Sequence, residues 1–502
     1  MASNQTAEVS VRILIDEEKN RVVCAEAGND FVDILFSFLT LPIGTIVRLI
    51  RNQQAELGCI NNLYGSIENL STTSLWTDAC KDMLLHPRSP LEPFCRGLKV
   101  NVNDAKPPKY FICSDACFQR YCRSGFLSNY ANARCSRCLE LMSTKISVVG
   151  SEFSADSMEK DTDGIFVKRS TAYIVSDNLQ VMVSRPGALV ELLGNVGIKD
   201  VNSLSERVLK VGSKEILNLL EHSLLSESPL TDVFLTNKRF NSKRSKLLEQ
   251  RDHQFLSQNT PGTATGESMA VKIMVRKSDG KAMYAEAVED FVDLLLSFLT
   301  MPLANVVGCL DGDSSLGCVD NLFSSIKSLN NKWFATHRVP WSDSDQCSNH
   351  LLLDVGLASK FKCSSQPFQL QERTPNFYYH DGELSTDVLW LTYRRPSVNN
   401  RWLSDITLID PKSPKWERSI EEFVKRPGLF LVSDGLVVLP SAGITSSISY
   451  LKDLDVSIDD MEEHVIKINK QEALNLLKAS LITTSALTSV LDLHLKKPKQ
   501  KS

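Results

Sequence analysis

The sequence predicts an α+β fold used twice in one chain. Three observations carry that reading: a long internal repeat, apolar segments of period two alternating with segments of helical spacing, and a composition of 42% hydrophobic and 23% charged residues, ordinary for packed globular proteins. The repeat is clearest at AEAGNDFVDILFSFLTLPIGTIV, ending at Val47, which returns as AEAVEDFVDLLLSFLTMPLANVV, ending at Val307. Between Val11–Val47 and the segment 260 positions later, 16 of 37 residues are identical. LGCINNLYGSIENL from Leu57 then returns as LGCVDNLFSSIKSL from Leu316, FVKRSTAYIVSDNLQV from Phe166 as FVKRPGLFLVSDGLVV from Phe423, and EILNLLEHSLL from Glu215 as EALNLLKASLI from Glu472. A period of this length marks a tandem domain duplication, because solenoid units run to about 20–50 residues.

The elements follow in order. VRILI and RVVCAEA flank the turn-like DEEKN and read as a hairpin, repeated by VKIMV and KAMYAEA around SDG. NDFVDILFSFLT reads as a helix, with Asp30 expected at its N-cap and Asp33 one turn on, where both would neutralise the first amides. Pro42 ends that helix and starts the next. PIGTIVRLI and CINNLYGSIENL keep apolar spacings of three and four, the mark of two amphipathic helices. AYIVSDNLQVMV and LFLVSDGLVVL read as hairpins turning at Ser176-Asp177 and Ser433-Asp434, and each copy closes with a strand (ERVLKVG, EHVIKIN) and a helix bearing LNLL.

These boundaries give a first repeat over 1–235, a linker over 236–268, a second repeat over 269–495 and a basic tail over 496–502. The linker carries Lys238, Arg239, Lys243, Arg244 and Lys246, and the tail reads KKPKQKS; both read first as solvated charge runs, with a nuclear-import or nucleic-acid patch as the alternative. A net charge of -4 gives no global attraction to nucleic acid or membrane. MASNQTAEVSVRILIDEEKN has no apolar signal core and no stretch is long enough to span a bilayer, so the expected setting is intracellular, cytoplasm or nucleus, with no membrane partner.

The acids Asp30 and Asp33, mirrored by Asp290 and Asp293, are the first place to look for acid/base chemistry, but capping explains them. Glu26 and Glu286 fit a local turn or salt-bridge role at a strand end, and the side chains of Ser176-Asp177 and Ser433-Asp434 fit local turn hydrogen bonds. No phosphate loop, GxGxxG, HExxH, GxSxG or EF-hand spacing is present, so no catalytic residue is assigned.

The chemically distinctive stretch belongs to the first repeat alone. Cys113, Cys117, Cys122, Cys135 and Cys138 fall within 26 residues, where an even scatter of the chain's 13 cysteines would place fewer than one. Three residues separate Cys113 from Cys117, two separate Cys135 from Cys138, and 17 lie between the pairs, a spacing that suits a zinc ribbon. The expectation is one structural zinc on Cys113, Cys117, Cys135 and Cys138, with Cys122 able to replace Cys117. Reduced thiols without metal, or a redox pair at Cys135-Ser-Arg-Cys138, are the competing readings. In the second repeat YFIC becomes FYYH, ending at His380, and no CxxC follows.

DFVDxLxSFLTxP, GCxxNLxxSIxxL, the aromatic-Cys and CxxC region and FVKRxxxxxVSD together resemble the plant domain-of-unknown-function 674 family, over nearly both copies. The resemblance implies a plant intracellular protein without an established activity. It places the family's CxxC on Cys135 and Cys138 and its aromatic-linked cysteine at Cys113, although Leu139 stands where glycine is common. The expected function is that of a non-enzymatic interaction protein with two homologous binding domains, one zinc-stabilised, gaining avidity toward a protein partner through the linker. The alternatives are a nucleic-acid-binding protein using the knuckle and basic linker, and an enzyme of unrecognised class working in a cleft between the copies.

Overall fold

A computed structural model describes residues 7–113, 125–131, 133–135, 137–148, 164–169, 171–236, 268–342, 344–380, 390–392, 403–413, 420–441, 444–454 and 456–495. The first repeat supplies β1 (Val9–Asp16), β2 (Arg21–Ala27), β3 (Tyr110–Ile112), β4 (Phe126–Leu127), β5 (Thr144–Val148), β6 (Tyr173–Ser176), β7 (Val181–Val183) and β8 (Leu204–Val211). The second supplies β9 (Met269–Arg276), β10 (Ala282–Val288), the short β11 (Thr336–Arg338), β12 (Asp345–Cys347), β13 (Leu357–Ala358) and β14 (Glu372–Arg373), then β15 (Phe377–His380), β16 (Trp390–Thr392), β17 (Leu403–Leu408), β18 (Leu429–Ser433), β19 (Val438–Pro440) and β20 (Met461–Ile468). The class is α+β.

The repeated period-two segments build two five-stranded antiparallel sheets of matching order, β7-β6-β2-β1-β8 and β19-β18-β10-β9-β20. In β1 the alternation is literal, with Val9, Val11 and Ile13 buried and Ser10 and Arg12 turned to solvent. Three helices follow each opening hairpin: α1 (Asn29–Phe38), α2 (Ile43–Arg51) and α3 (Ile60–Asn69), then Glu289–Phe298, Leu303–Cys309 and Val319–Ser328. Every residue of α1 from Phe31 to Phe38 is buried, because this helix lies between its sheet and the other half of the chain.

The expected N-cap does not form. The cap residue of α1 is Gly28, with no side-chain cap bond, and Val288 takes that place in the second repeat. Asp30 sits one position inside the helix at 3.6 Å from Lys99, and Asp290 pairs with Arg426. Sequence spacing alone could not separate a carboxylate serving its own helix from one serving a distant segment, since both favour the first turn.

The two halves meet through matching contacts. Ile43 and Gly44 donate backbone N–H to the carbonyls of Met301 and Leu299 at 2.9 and 2.7 Å; Leu303 and Ala304 donate to Leu41 and Leu39 at 2.9 and 2.8 Å. Pro42 faces Pro302 between these pairs. One hydrophobic core runs continuously through both halves, from Val9 to Leu493.

The third sheet draws on both repeats in the order β3-β5-β16-β15-β17-β4. Its halves are joined by two parallel pairings, β5 with β16 and β17 with β4. Phe111 and Ser128 exchange backbone hydrogen bonds of 2.7 and 2.9 Å, which returns β4 to β3 and closes a six-stranded ring. Tyr110, Ile112, Leu127, Ile146, Phe377, Ile406 and Leu408 fill this ring, with Tyr110 and Phe377 edge to face at 5.3 Å. The Cys-rich stretch therefore supplies three strands of a shared barrel, and those strands have counterparts in the second repeat.

Candidate metal centre

The cysteines gather at one end of that barrel. Cys113 follows β3 directly, and Cys135 and Cys138 lie on the turn that leads from β4 to β5. Pairing of Arg134 with Leu141, the Cys135 N–H to Glu140 at 2.8 Å and the Met142 N–H to Ala133 at 2.8 Å tighten the turn. Leu139 donates its N–H to the Cys135 carbonyl at 3.0 Å and adopts φ 64°, the left-handed conformation that glycine takes most readily. Arg134 holds the Leu139 carbonyl at 3.0 Å, which braces the leucine in that conformation.

The Sγ atoms of Cys113, Cys135 and Cys138 lie within 4.8 Å of one another, a bound that admits the roughly 3.8 Å between sulfurs of a tetrahedral zinc-thiolate site. The Cys113 thiol, the amides of Cys138 and Arg137 and the Cys138 thiol donate toward Cys135 and outweigh its burial, pulling its pKa down to about 4. A turn that already stabilises one thiolate and brings two more sulfurs beside it has the donor set a soft, thiophilic cation needs. Cys117 and Cys122, the expected fourth ligands, lie outside the described residues, as do most of the linker and the basic tail.

A cavity of about 1070 Å³ opens against this turn, walled by Arg134, Cys135 and Leu139 on one side and by Trp76, Tyr130 and Lys425 on others. It is wide and mixed in polarity, with Asp78 and Asp410 also on its wall.

The repeated acids form no acid/base pair with one another. Asp33 is buried and accepts backbone N–H from Ile165, Phe166 and Val167 at 2.8, 2.7 and 2.9 Å. Asp293 does the same for Phe423 and Val424 at 2.9 and 3.0 Å. Each carboxylate thus ties its FVKR segment to the first helix, and burial, opposed by these amides, raises both pKa values from 3.8 to about 7. In the two hairpin turns Ser176 and Ser433 bond local backbone, accepting the N–H of Gln180 and Val437 at 3.0 and 2.9 Å, whereas the neighbouring acids are tertiary: Asp177 accepts the N–H and hydroxyl of Thr231 at 2.8 and 2.7 Å, and Asp434 those of Thr488 at 2.7 and 2.8 Å. The threonine hydroxyls in turn receive the N–H of Val22 and Ala282 at 2.8 and 2.9 Å. Thr231 and Thr488 share the 257-residue offset of the two aspartates, the sequence signal that could have revealed the pairs. Glu26 lies 3.6 Å from Arg12, as a strand-end salt bridge should.

Lys412 carries no sequence signal at all. It is 1% exposed, donates to the Lys362 carbonyl at 2.7 Å and stands 5.0 Å above the Phe423 ring, bracing the second FVKR segment through a cation–π contact.

With the clamped FVKR segments, the repeated helices and the cysteine turn in place, residues 5–471 match the family described as protein of unknown function (DUF674). The chain belongs to that family. No curated protein and no solved structure matches this DUF674 chain significantly. Among its described residues no helix is long and apolar enough to cross a membrane.

Proposed function

We propose that this DUF674 protein is a non-enzymatic interaction protein of plant cells, stabilised by one structural zinc and acting on a protein partner in the cytoplasm or nucleus. Cys113, Cys135 and Cys138 supply three ligands, and Cys117 or Cys122 supplies the fourth. The observation that carries the reading is the thiol triad at the barrel end: four thiolates would close the zinc shell and leave no position for an activated water, so the ion's role is to hold the turn. The reading is also supported by the acids that recur in both repeats, because Asp33, Asp293, Asp177 and Asp434 are engaged with backbone amides and serve the fold. The two repeats descend from a tandem duplication, as the matched sheet orders and clamps favour.

Metal analysis of the intact chain and of Cys135→Ser tests the site; the expected result is about one zinc per chain in the first and none in the second. Metal-replete protein without zinc would overturn the assignment. Pull-down from plant extract with the intact chain and with Cys135→Ser tests the interaction: a specific protein retained by both, or lost only from the variant, supports it, and none retained by either sinks it.

A further inference from the structure

The contacts between the halves come in pairs related by exchange of first and second repeat. Asn62 donates to the Gly435 carbonyl at 2.9 Å, and Asn321 donates to the Asn178 carbonyl at 2.8 Å. Val438 N–H reaches Ser66 Oγ at 2.9 Å, and Val181 N–H reaches Ser325 Oγ at 2.9 Å. The Cys59 thiol donates to the Thr483 carbonyl at 3.1 Å, and the Cys318 thiol to the Ser226 carbonyl at 3.2 Å. Gly58 and Gly317 pass so close to the opposing backbone that an added Cβ would meet carbonyl oxygens at 2.7 and 2.6 Å. The barrel obeys the same exchange, since β5 runs parallel to β16 and β17 runs parallel to β4.

These paired contacts are isologous: for each of them, each half presents both sides, as the subunits of a two-fold dimer do. Donor and acceptor types are the same in the two halves, namely Asn62 and Asn321, Ser66 and Ser325, Cys59 and Cys318. At the centre of the seam the apolar exchange is conservative, Leu41 corresponding to Met301 and Ile43 to Leu303. A first half set against another first half could therefore satisfy the polar groups of these paired contacts. In that pairing Asn62 would reach the Asn178 carbonyl of the second copy, the contact Asn321 makes within the chain.

We infer that this seam is a dimerisation surface held within one chain, and that the partner it fits is a second copy of the same chain, first half against first half. The inference is independent of the zinc site. The intact chain satisfies the surface internally because the linker keeps its two halves at high effective concentration; cutting the linker removes that advantage and lets a second copy compete.

The test uses full-length protein with a specific protease site placed in the Thr236–Ser268 linker, prepared once with each of two different N-terminal tags. Both samples are cleaved under native conditions, mixed and captured on one tag. The expected result is retention of the first half bearing the other tag, together with second half. Capture of second half alone, or of the tagged first half with nothing, overturns the inference. Asn62→Ala in both samples should raise the concentration needed for co-capture of first halves about tenfold, because the bond is lost on both sides of the axis; an unchanged midpoint would also count against it.

Discussion

Asp33 and Asp293 occupy the same place in the two repeats and are not equally well served. Asp33 takes three backbone amides and shares both oxygens among donors, with Asn29 3.5 Å from Oδ2. Asp293 takes two amides on Oδ1, and its buried Oδ2 meets no hydrogen-bond donor among the described residues. Both clamps hold an FVKR segment, so the two halves share the device but not the completeness of its satisfaction. The same contrast runs through the barrel: each repeat gives three strands, but within the described residues only the first brings three thiols together. The shared acids thus serve the fold in both halves, while the thiol triad belongs to the first alone among the described residues.

The largest effect should come from the asymmetric element. Removing metal with a thiol-competing chelator should loosen the turn at 134–141 and expose its amides to hydrogen exchange, while the sheet formed by β9, β10, β18, β19 and β20 keeps its protection. Zinc binding in small structural sites is worth on the order of 10 kcal/mol, so equal loss of protection in both regions would break the proposed asymmetry. Next in size are the clamps themselves. Asp33→Ala strands two buried amides and a half-buried one and should cost about 4 kcal/mol, against about 3 kcal/mol for Asp293→Ala, since each unsatisfied buried donor costs roughly 1–3 kcal/mol. Denaturant midpoints of the two variants measure this, and the reverse order would show that the amides do not set the cost.

The orphaned oxygen makes the second clamp the one to probe by pH. Because burial raises the Asp293 pKa from 3.8 to about 7, the folded state holds the proton more tightly than the unfolded state does. The extra stability is fully present below the unfolded value and is lost as pH rises through the folded one, so the melting temperature should fall between about pH 4 and pH 7 from this group. Asp293→Asn, neutral and of the same shape, should flatten that slope; a slope unchanged from wild type would assign it to other groups. The smallest expected effects test the equivalence of the halves. Ser66→Ala and Ser325→Ala each strand one buried amide, Val438 or Val181, and should each cost about 1–2 kcal/mol. A large difference between them would show that the seam is less symmetric than its geometry.

Much of the five-stranded sheets was legible because their signals are local. Period two marks β1, β2 and their partners, and Pro42 and Pro302 mark the breaks between helices. The barrel was not legible: β3 and β4 hold three and two residues, too few for a period, and β4 pairs with β17 of the other repeat, more than 250 positions away. Asp33 and Asp177 were visible as repeated acids and misread as local, because a carboxylate near a helix start or a turn looks the same whether its donor is three residues away or more than fifty.

By itself the amino-acid sequence determined the α+β class, the two repeats, most hairpins and helices, and the cysteines eligible to bind metal, since each of these rests on spacing along the chain. Only the tertiary structure decided that the repeats share one barrel and one seam, that the aspartates act as clamps, and that Cys113 joins Cys135 and Cys138 within 4.8 Å. These depend on contacts between distant segments, where burial and unsatisfied backbone amides select the partner and no local pattern records the choice.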